Sequence, residues 1–445
     1  MTIRDNSWLK NKTLRNTLKP SPIPTIRTGL KLSILEGLFS NFQYITLSSS
    51  YLVGLCLAFG LSDFQIALFG SMNFLSQIFF FVNAYLLQHS IDRKKSVMVI
   101  SAIIRVGWII PAMLISFQDP TQFKSLFVVF LTAYFVLDKM MAHSWNSWMS
   151  DLVPTKIRGK YFGVRSGIVA VATVIFHFVI STTLDHFKSI KETNLGFTVV
   201  LTISVIFGIV TIFLFHRQTH FKMKEDLVGQ KFSFEIIRES FKEKSFKRRL
   251  ILVSMIQFTI GMGVMFFPIY MLEVVKVSFT TYAFYQTIHL LIGILGYRFC
   301  GKIIDKFGSD RAIIYVSAGL ILSSVVWLFI NENRLYLFFV DAALLGFFQN
   351  AFNLININVS LSNPKDKFGN YKIAFFASIV GLSYFCGSLL AGQISKFQTS
   401  EHFNREQLIF TIFLVSLFIR ILTFAFSLKG ISLTKLGKES LRMIK

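Results

Sequence analysis

The sequence predicts an all-α membrane protein of twelve transmembrane helices, arranged as two six-helix halves with pseudo-symmetry. Of its 445 residues, 53% are hydrophobic and 16% are charged, whereas about 25% are charged in an average soluble domain. The apolar residues form runs of about 20, the length that crosses a bilayer as a helix. The run from Val199 to Phe215 contains no charged residue at all. Similar polar motifs also recur in the two halves, which indicates an internal repeat.

The apolar runs predict six spans, a charged segment and six further spans. In chain order they are approximately Lys31–Phe59, Asp63–Leu87, Val97–Phe117, Gln122–Ser150, Gly163–Leu184, Asn194–Phe215, Leu250–Val275, Thr281–Gly301, Ala312–Ile330, Arg334–Ser360, Tyr371–Ile394 and Gln407–Leu428. The predicted regions are a tail at 1–29, a bundle at 30–216, a connector at 217–249, a second bundle at 250–428 and a tail at 429–445. The first tail is polar and basic, so no cleavable signal peptide is expected.

The net charge of +23 is unevenly distributed along the chain. If the spans alternate, most of the 46 lysines and arginines fall on the side of the termini, which predicts cytoplasmic termini by the positive-inside rule. This basic face would contact anionic lipids, and its placement argues against nucleic-acid binding. The connector is predicted to carry an amphipathic helix near Phe232–Phe246, and it acts either as a tether between the halves or as a solvated spacer.

Several kinds of chemistry find no support in the sequence. The three cysteines, Cys56, Cys300 and Cys386, lie far apart in or near apolar spans, so they are predicted to be small core residues. No His, Cys and Asp residues have metal-ligand spacing, and no phosphate-binding Gly-x4-Gly-Lys-Ser/Thr loop occurs. We therefore expect no metal, no cofactor and no enzymatic activity.

Two short basic segments occupy corresponding places in the halves. Between spans eight and nine, the sequence matches the pattern Gly-x-x-x-Asp-Lys-x-Gly-x-x-Arg. The matching residues are Gly301, Asp305, Lys306, Gly308 and Arg311. Between spans two and three, a degraded copy has Gln88, Asp92, Arg93, Lys95 and Met98 at the corresponding positions. This pair resembles the loops between the second and third helices of each half in the major facilitator superfamily of transporters.

Polar side chains also follow one helical face in corresponding spans. Span four carries Lys139, His143, Asn146 and Ser150, and span ten carries Gln349, Asn353, Asn356 and Ser360. The spacing is i, i+4, i+7 and i+11 in both spans, which places each set on one face. Span one has a similar face with Glu36, Ser40, Gln43 and Ser50. Because polar groups in hydrocarbon need partners, these faces are predicted to point inward.

The resemblance covers about Arg27 to Lys429 and implies a solute carrier whose first and fourth helices in each half line a central cavity. The residues implied for substrate binding or proton coupling are Glu36, Asp138, Lys139, His143, Asn146, Asp341, Gln349, Asn353 and Asn356. A cytoplasmic gate is implied at Asp92, Arg93, Lys95, Asp151, Arg158, Gly159, Gly301, Asp305, Lys306, Gly308 and Arg311. In the alternative interpretation, the gate residues only cap helices and satisfy the positive-inside rule.

Charged side chains inside spans cost about 2.5–3.5 kcal/mol on insertion scales, so each is a functional candidate. Asp138 is predicted near the middle of the membrane, where it either exchanges protons or forms an ion pair that holds helices together. Lys139 could pair with Asp138 or with Glu36 of span one. Arg105 and Arg420 are predicted either to snorkel toward the head groups or to form structural pairs, and His177 and His289 are predicted to be hydrogen-bonded core residues.

Together, the residues and the resemblance predict a monomeric, proton-coupled symporter of a small polar solute in a prokaryotic cell membrane. Amides donate and accept hydrogen bonds, which suits a sugar-like solute, while Lys139 would hold an organic anion. One alternative is an efflux antiporter of amphipathic compounds, although the fifth helix, Gly163–His177, lacks the Gly-Pro signature of that group. The other is a transporter-like receptor, although the short tails and connector leave no signalling domain.

Overall fold

The computed structural model describes residues 23–47, 49–76, 79, 93–153, 158–218, 244–360, 369–396 and 404–429. All regular secondary structure within these ranges is helical. The helices are α1 (Ile23–Thr46), α2 (Ser49–Ala58), α3 (Asp63–Leu75), α4 (Arg93–Gly107), α5 (Ile109–Ile115), α6 (Lys124–Leu152), α7 (Arg158–Ser189), α8 (Thr193–Arg217), α9 (Lys244–Gly263), α10 (Phe266–Ile269), α11 (Phe279–Phe307), α12 (Ser309–Trp327), α13 (Tyr336–Ser360), α14 (Gly369–Ser395) and α15 (Arg405–Lys429). The first half denotes described residues up to 218, and the second half those from 244.

Ten helical segments within these ranges are long and apolar enough to cross a membrane, by length and composition. The first two predicted spans are not among them. The helices α1 and α2 are separate on either side of position 48, and α3 ends at Leu75, shortly before a largely undescribed stretch. The total of twelve spans therefore stays a prediction. Residues 1–22 and 430–445 of the two predicted tails and most of the connector also lie outside the described residues, whereas α1 begins at Ile23, within the predicted first tail.

Two predicted spans are interrupted next to a proline. The break between α4 and α5 lies just before Pro111, and the break between α9 and α10 lies just before Pro268. Proline lacks an N–H donor, and its ring clashes with the carbonyl group four residues earlier. In the second case a five-residue π-helical turn, Tyr270–Val274, follows directly. The apolar runs predicted the position of these spans but not their division.

Close backbone contact holds α9 against α14 in the second half. A Cβ atom at Gly261 would overlap the carbonyl oxygen of Tyr384, and one at Gly387 would overlap that of Phe258. Neither position has room for a side chain. Such approaches are typical of transmembrane helices, where small residues allow dispersion contacts between backbones.

The two halves contact each other through α3 against α14 and through α7 against α11. Near one face of the protein, which we call the Asp63 face, polar contacts reinforce this packing. Arg405 at the start of α15 pairs with Asp63 at the start of α3. The carboxylate of Asp185 accepts hydrogen bonds from the backbone N–H groups of Phe279 (2.9 Å) and Thr280 (2.7 Å). The halves are thus joined where α3, α11 and α15 begin.

Candidate functional site

Two neighbouring cavities lie beside α1 and α6. The inter-half cavity, about 350 Å³ in volume, is lined by residues of both halves, from α1, α2, α3 and α6 and from α9, α13 and α14. The first-half cavity, about 390 Å³, is lined by α1, α4, α6 and α7 together with Phe215. Both cavities include Tyr44, Tyr134 and Asp138 in their walls. These three residues therefore form a wall that the two cavities share.

Amide side chains from two helices line the inter-half cavity. Gln349, Asn353 and Asn356 contribute from α13, as the sequence spacing predicted, and Gln257 contributes from α9. Aromatic rings border the same space, and the rings of Phe74 and Tyr384 stack across the two halves with centroids 3.8 Å apart. The neighbouring amide Asn350 instead donates to the carbonyl oxygen of Gly346, 2.8 Å away. Gln257 was missed because it is a single amide within an apolar run.

Asp138 and Lys139 form an ion pair, with 3.3 Å between Lys139 Nζ and Asp138 Oδ2. Both side chains are partly buried, with 15% and 19% of the Lys139 and Asp138 side chains exposed. The alternative pairing of Lys139 with Glu36 does not occur, because two arginines occupy the Glu36 carboxylate. Asp138 belongs to the shared wall, whereas Lys139 lines only the first-half cavity.

Glu36 lies between two guanidinium groups in the first-half cavity. Its Oε2 atom is 3.1 Å from Arg165 Nη2, and its Oε1 atom is 3.8 Å from Arg105 Nη2. Arg105 also donates to Gln43 Oε1 (3.2 Å) and to Ser101 Oγ (2.8 Å). The structural pairing expected of Arg105 is thus observed. Arg165 was not among the sequence candidates, since it lies close to the predicted start of span five and resembles a flanking charge.

Asp341 lies apart from the residues lining the two cavities. Its carboxylate accepts hydrogen bonds from Tyr285 Oη (2.8 Å) and Ser323 Oγ (2.6 Å), and the residue is fully buried. Asp341 is eight residues before Gln349, so it points about 80° away from it around α13. Because of this rotation, Asp341 does not share the amide face of α13 and lines neither cavity. Arg420 of α15 is buried too and donates to Thr259 Oγ1, the Leu320 carbonyl oxygen and Ser324 Oγ.

The other candidates in the spans divide between cavity and packing. Asn146 lines the first-half cavity, whereas His143 is half-buried and lines neither cavity. Nδ1 of His177 forms a hydrogen bond with Tyr51 Oη, 3.2 Å away, and the residue is buried in the core. The ring of His289 is stacked 6.5 Å from that of Tyr285. Within the described ranges, no group of His, Cys, Asp or Glu side chains could hold a metal ion.

The predicted gate of the second half lies at the reversal between α11 and α12. Gly308 alone separates these helices and has φ +82°, a conformation that favours glycine. Asp305 and Lys306 are exposed, and the Arg311 guanidinium lies 5.2 Å from the centroid of the Phe307 ring. Gly301 lies within α11, and a Cβ there would meet only Leu354 at 3.8 Å. The motif thus forms a tight helical hairpin.

The corresponding gate of the first half is only partly described. Arg93 and Lys95 begin α4, and the intervening Lys94 donates to the carbonyl oxygens of His216 and Gln218, each at 2.7 Å. Asp92 lies outside the described residues. The backbones of Asp151, Arg158 and Gly159 are helical, at the end of α6 and the start of α7. The cytoplasmic gate implied at these residues therefore stays a prediction.

Comparison with known proteins identifies the family of the chain. Residues 34–371 match the family model of the Major Facilitator Superfamily. No curated protein sequence matches the chain. Among solved structures, a point mutant of the nucleoside transporter NupG superposes with a TM-score of 0.70 at 11% identity, over 91% of this chain and 100% of that chain.

Two further solved structures have the same fold. Tetrameric PepTSo2 gives a TM-score of 0.68 at 10% identity, over 93% of this chain and 99% of its own. A D-xylose-proton symporter gives 0.63 at 14% identity, over 89% and 97%. At these identities the similarity establishes the fold rather than the solute. The chain therefore shares its all-helical, multi-pass fold with transporters of different solutes.

Proposed function

The chain belongs to the major facilitator superfamily and is thus a multi-pass secondary transporter of a small molecule, and from this premise we propose that it imports a small polar organic solute with protons. The solute is sugar-like or an organic anion. The two predicted bundles, 30–216 and 250–428, rock about the inter-half cavity, as in other transporters built from repeats. The protein acts as a monomer in the cell membrane, with both termini in the cytoplasm.

The amide cluster of the inter-half cavity carries this proposal. Gln257 reaches the cavity from α9, and Gln349, Asn353 and Asn356 reach it from α13. Each amide offers both donors and acceptors, and neighbouring aromatic rings offer flat apolar faces. A polar solute with several hydroxyl or amide groups fits such a lining. The fold neighbours support this class, since they include transporters of a nucleoside and of D-xylose.

Asp138 is the proposed coupling residue because of its position in the shared wall. Its ion pair with Lys139 lies at the boundary of both cavities. Protonation of the carboxylate would remove the charge that holds Lys139, and loss of the proton would restore the pair. An exchange of this kind links proton occupancy to the shape of the wall that the solute contacts. Intramembrane carboxylates commonly serve proton relays for this reason.

Contacts at the Asp63 face support alternation between two arrangements, each of which is closed at one face of the protein and open at the other. The Arg405–Asp63 pair and the Asp185 hydrogen bonds join the halves at that face. Solute release toward the termini requires closure at the Asp63 face, and solute entry requires these contacts to separate. The hairpin at Gly308 and its counterpart near Arg93 would contact the other half when the opposite face closes.

Reconstitution in liposomes tests the function. Uptake of labelled sugars, organic acids, amino acids and amphipathic drugs is measured with and without an inward proton gradient, and protein-free liposomes provide the background. We expect gradient-driven accumulation of one polar class. Accumulation should be lost in Asp138→Asn and retained in Glu332→Gln, which alters an exposed acid in the loop between α12 and α13.

Each other outcome would replace the proposal by a named alternative. Equilibration without a gradient would identify a facilitator. Outward movement of amphipathic drugs in exchange for protons would identify an efflux antiporter. Saturable binding with no movement of any solute would indicate a receptor.

A further inference from the structure

We propose that the first-half cavity is an oxyanion subsite, so that the transported solute carries a carboxylate or phosphate group that binds beside Arg165, Gln43 and Trp145. The uncharged polar part of the same solute then contacts the amides of the inter-half cavity. This inference rests on the proposed function and narrows its substrate class from polar solutes to organic anions. The anion is held by Arg165 rather than by Lys139, which is engaged with Asp138.

The charges of the cavity wall are not balanced. The cations lining the first-half cavity are Arg105, Arg165 and Lys139, whereas the acids are Glu36 and Asp138. Lys139 is paired with Asp138, and both arginines share the single carboxylate of Glu36. One guanidinium charge therefore has no counter-charge within the cavity lining. In an environment poor in water an unbalanced charge is costly, and an anionic ligand would neutralise it.

Two buried donors in the same wall have no hydrogen-bond partner among the described residues. They are Gln43 Nε2 and Trp145 Nε1. Gln43 is only 3% exposed, and its Oε1 atom already accepts from Arg105 Nη1. Because a guanidinium only donates, this bond fixes the orientation of the amide and leaves Nε2 as the unused donor. Buried polar groups are normally hydrogen-bonded. The two unused donors therefore indicate that a bound ligand supplies the acceptor atoms.

Arg165 is the residue best suited to bind the anion directly. Its Nε donates to the Ser33 carbonyl oxygen (3.2 Å) and its Nη2 to Glu36, and no described residue accepts a hydrogen bond from its Nη1. The guanidinium also lies over the ring of Trp145, 4.7 Å from its centroid. These contacts hold the planar group in place, and its geometry matches carboxylate and phosphate oxygens. Arg105, by contrast, is a positioning residue, since it orients Gln43 and Glu36.

The inter-half cavity has a different electrostatic character. Among the described residues of its lining only Asp138 is charged, and its charge is paired with Lys139. This lining offers a negative group no cation, whereas a hydroxylated or amide-bearing group would find donors and acceptors on the amides. The two cavities therefore orient a solute that is anionic at one end. Their common wall of Tyr44, Tyr134 and Asp138 marks the boundary between its two parts.

Ligand binding to the purified full-length protein tests the subsite without any membrane gradient. Matched probes are D-glucose, D-glucuronate and D-glucose 6-phosphate, with inorganic phosphate and acetate as minimal oxyanions. The readout is quenching of tryptophan fluorescence at constant ionic strength. We expect saturable quenching by oxyanions and at least tenfold weaker binding of glucose than of its anionic counterparts. The glucuronate and phosphate arms distinguish a carboxylate site from a phosphate site.

Two variants should act in opposite directions. Arg165→Gln should weaken oxyanion binding at least tenfold, and Glu36→Gln should strengthen it because the Glu36 carboxylate no longer competes with the ligand for the Arg165 guanidinium. A misfolded variant cannot bind the ligand more tightly. An increase in affinity in Glu36→Gln therefore cannot be explained by misfolding. Arg334→Gln, in an exposed turn, is the matched control. Equal binding of glucose and its anions, no saturable oxyanion binding, or Glu36→Gln that does not tighten binding would overturn the subsite.

The outcome is separable from that of the proposed function. Transport of a neutral solute with no affinity for oxyanions would retain the transporter and reject the subsite. Oxyanion binding that responds to Arg165 and Glu36, with no transport of any solute, would retain the subsite and reject the symporter.

Discussion

The guanidinium of Arg405 binds the carboxylate of Asp63 at two points, with Nη2–Oδ1 at 2.7 Å and Nε–Oδ2 at 3.1 Å. The pair joins the first turn of α15 in the second half to the first turn of α3 in the first half. Glu273 adds a third charge, 3.3 Å from Arg405 Nη1. Bidentate pairs of this kind are stronger than single hydrogen bonds, so this contact should favour closure at the Asp63 face.

Asp63→Asn should shift the protein toward the arrangement that is open at the Asp63 face. The variant removes the charge but keeps the shape, and loss of a partly buried pair of this geometry should cost about 1–2 kcal/mol of closure free energy. Spin labels at Lys191→Cys and Glu332→Cys, exposed sites on the two halves, report the separation. The ratio of molecules with the longer label-to-label distance to those with the shorter one should rise roughly tenfold. Glu273→Gln, which alters the more exposed partner, should change it less; an equal response of both variants would contradict the assignment.

Asp185→Asn should loosen the same face through a different contact. The carboxylate accepts from two backbone N–H groups at the start of α11, where unpaired donors and the helix dipole favour a negative charge. We expect a loss of about 1 kcal/mol of closure free energy. Because the Asp185 and Asp63 contacts share no residue, the double variant should show the sum of the two shifts, measured with the same labels. A double variant no more open than either single one would show that one contact alone controls closure.

Gln257→Ala should weaken solute binding although this residue belongs to no recognised polar face. Loss of one hydrogen bond to a buried group costs about 1–1.5 kcal/mol, which corresponds to roughly tenfold in affinity. Gln349→Ala should have a similar effect on the concentration for half-maximal uptake. Asn350→Ala is the control on the same helix, since Asn350 bonds to the Gly346 carbonyl oxygen and does not line the cavity. An effect of Asn350→Ala as large as the other two would show that the amides act through packing.

Gly387→Ala should destabilise the second half by about 1–3 kcal/mol, because the added methyl group would overlap the carbonyl oxygen of Phe258. The thermal unfolding midpoint in detergent should fall accordingly. Gly167→Ala is the matched control in α7, where a methyl group would meet no atom within 4 Å. That change should be neutral or stabilising, since alanine favours a helix by about 1 kcal/mol over glycine. Equal midpoints for the two variants would contradict a close α9–α14 contact.

The helical fold and the amide face of α13 followed from residue order alone. Apolar runs reveal helices because bilayer thickness fixes their length, and the spacing of Gln349, Asn353 and Asn356 reveals a face because the helical period is fixed. Arg165 could not be recognised in this way. A charge near a helix end has the same sequence signature whether it faces head groups or, as here, a carboxylate on another helix.

Tertiary rotation explains the remaining differences. Residue order specifies that Asp341 points about 80° away from Gln349 on α13. It does not specify how far neighbouring helices are turned, so the Tyr285 and Ser323 hydroxyls could not be identified as its partners. For the same reason, the sequence did not determine which carboxylate pairs with Lys139. The choice between Asp138 and Glu36 depends on where α4 and α7 place Arg105 and Arg165.

The close contact of α9 with α14 has a mechanical consequence. Gln257 and Tyr384, which line the inter-half cavity, belong to these two helices, and beside Gly387 the hydroxyl of Ser388 donates to the Ala67 carbonyl oxygen of α3 at 2.7 Å. With backbones in direct contact at Gly261 and Gly387, no side chain can yield between the two helices. The two helices therefore behave as one stiff unit, which lines the inter-half cavity on one side and contacts α3 of the first half on the other.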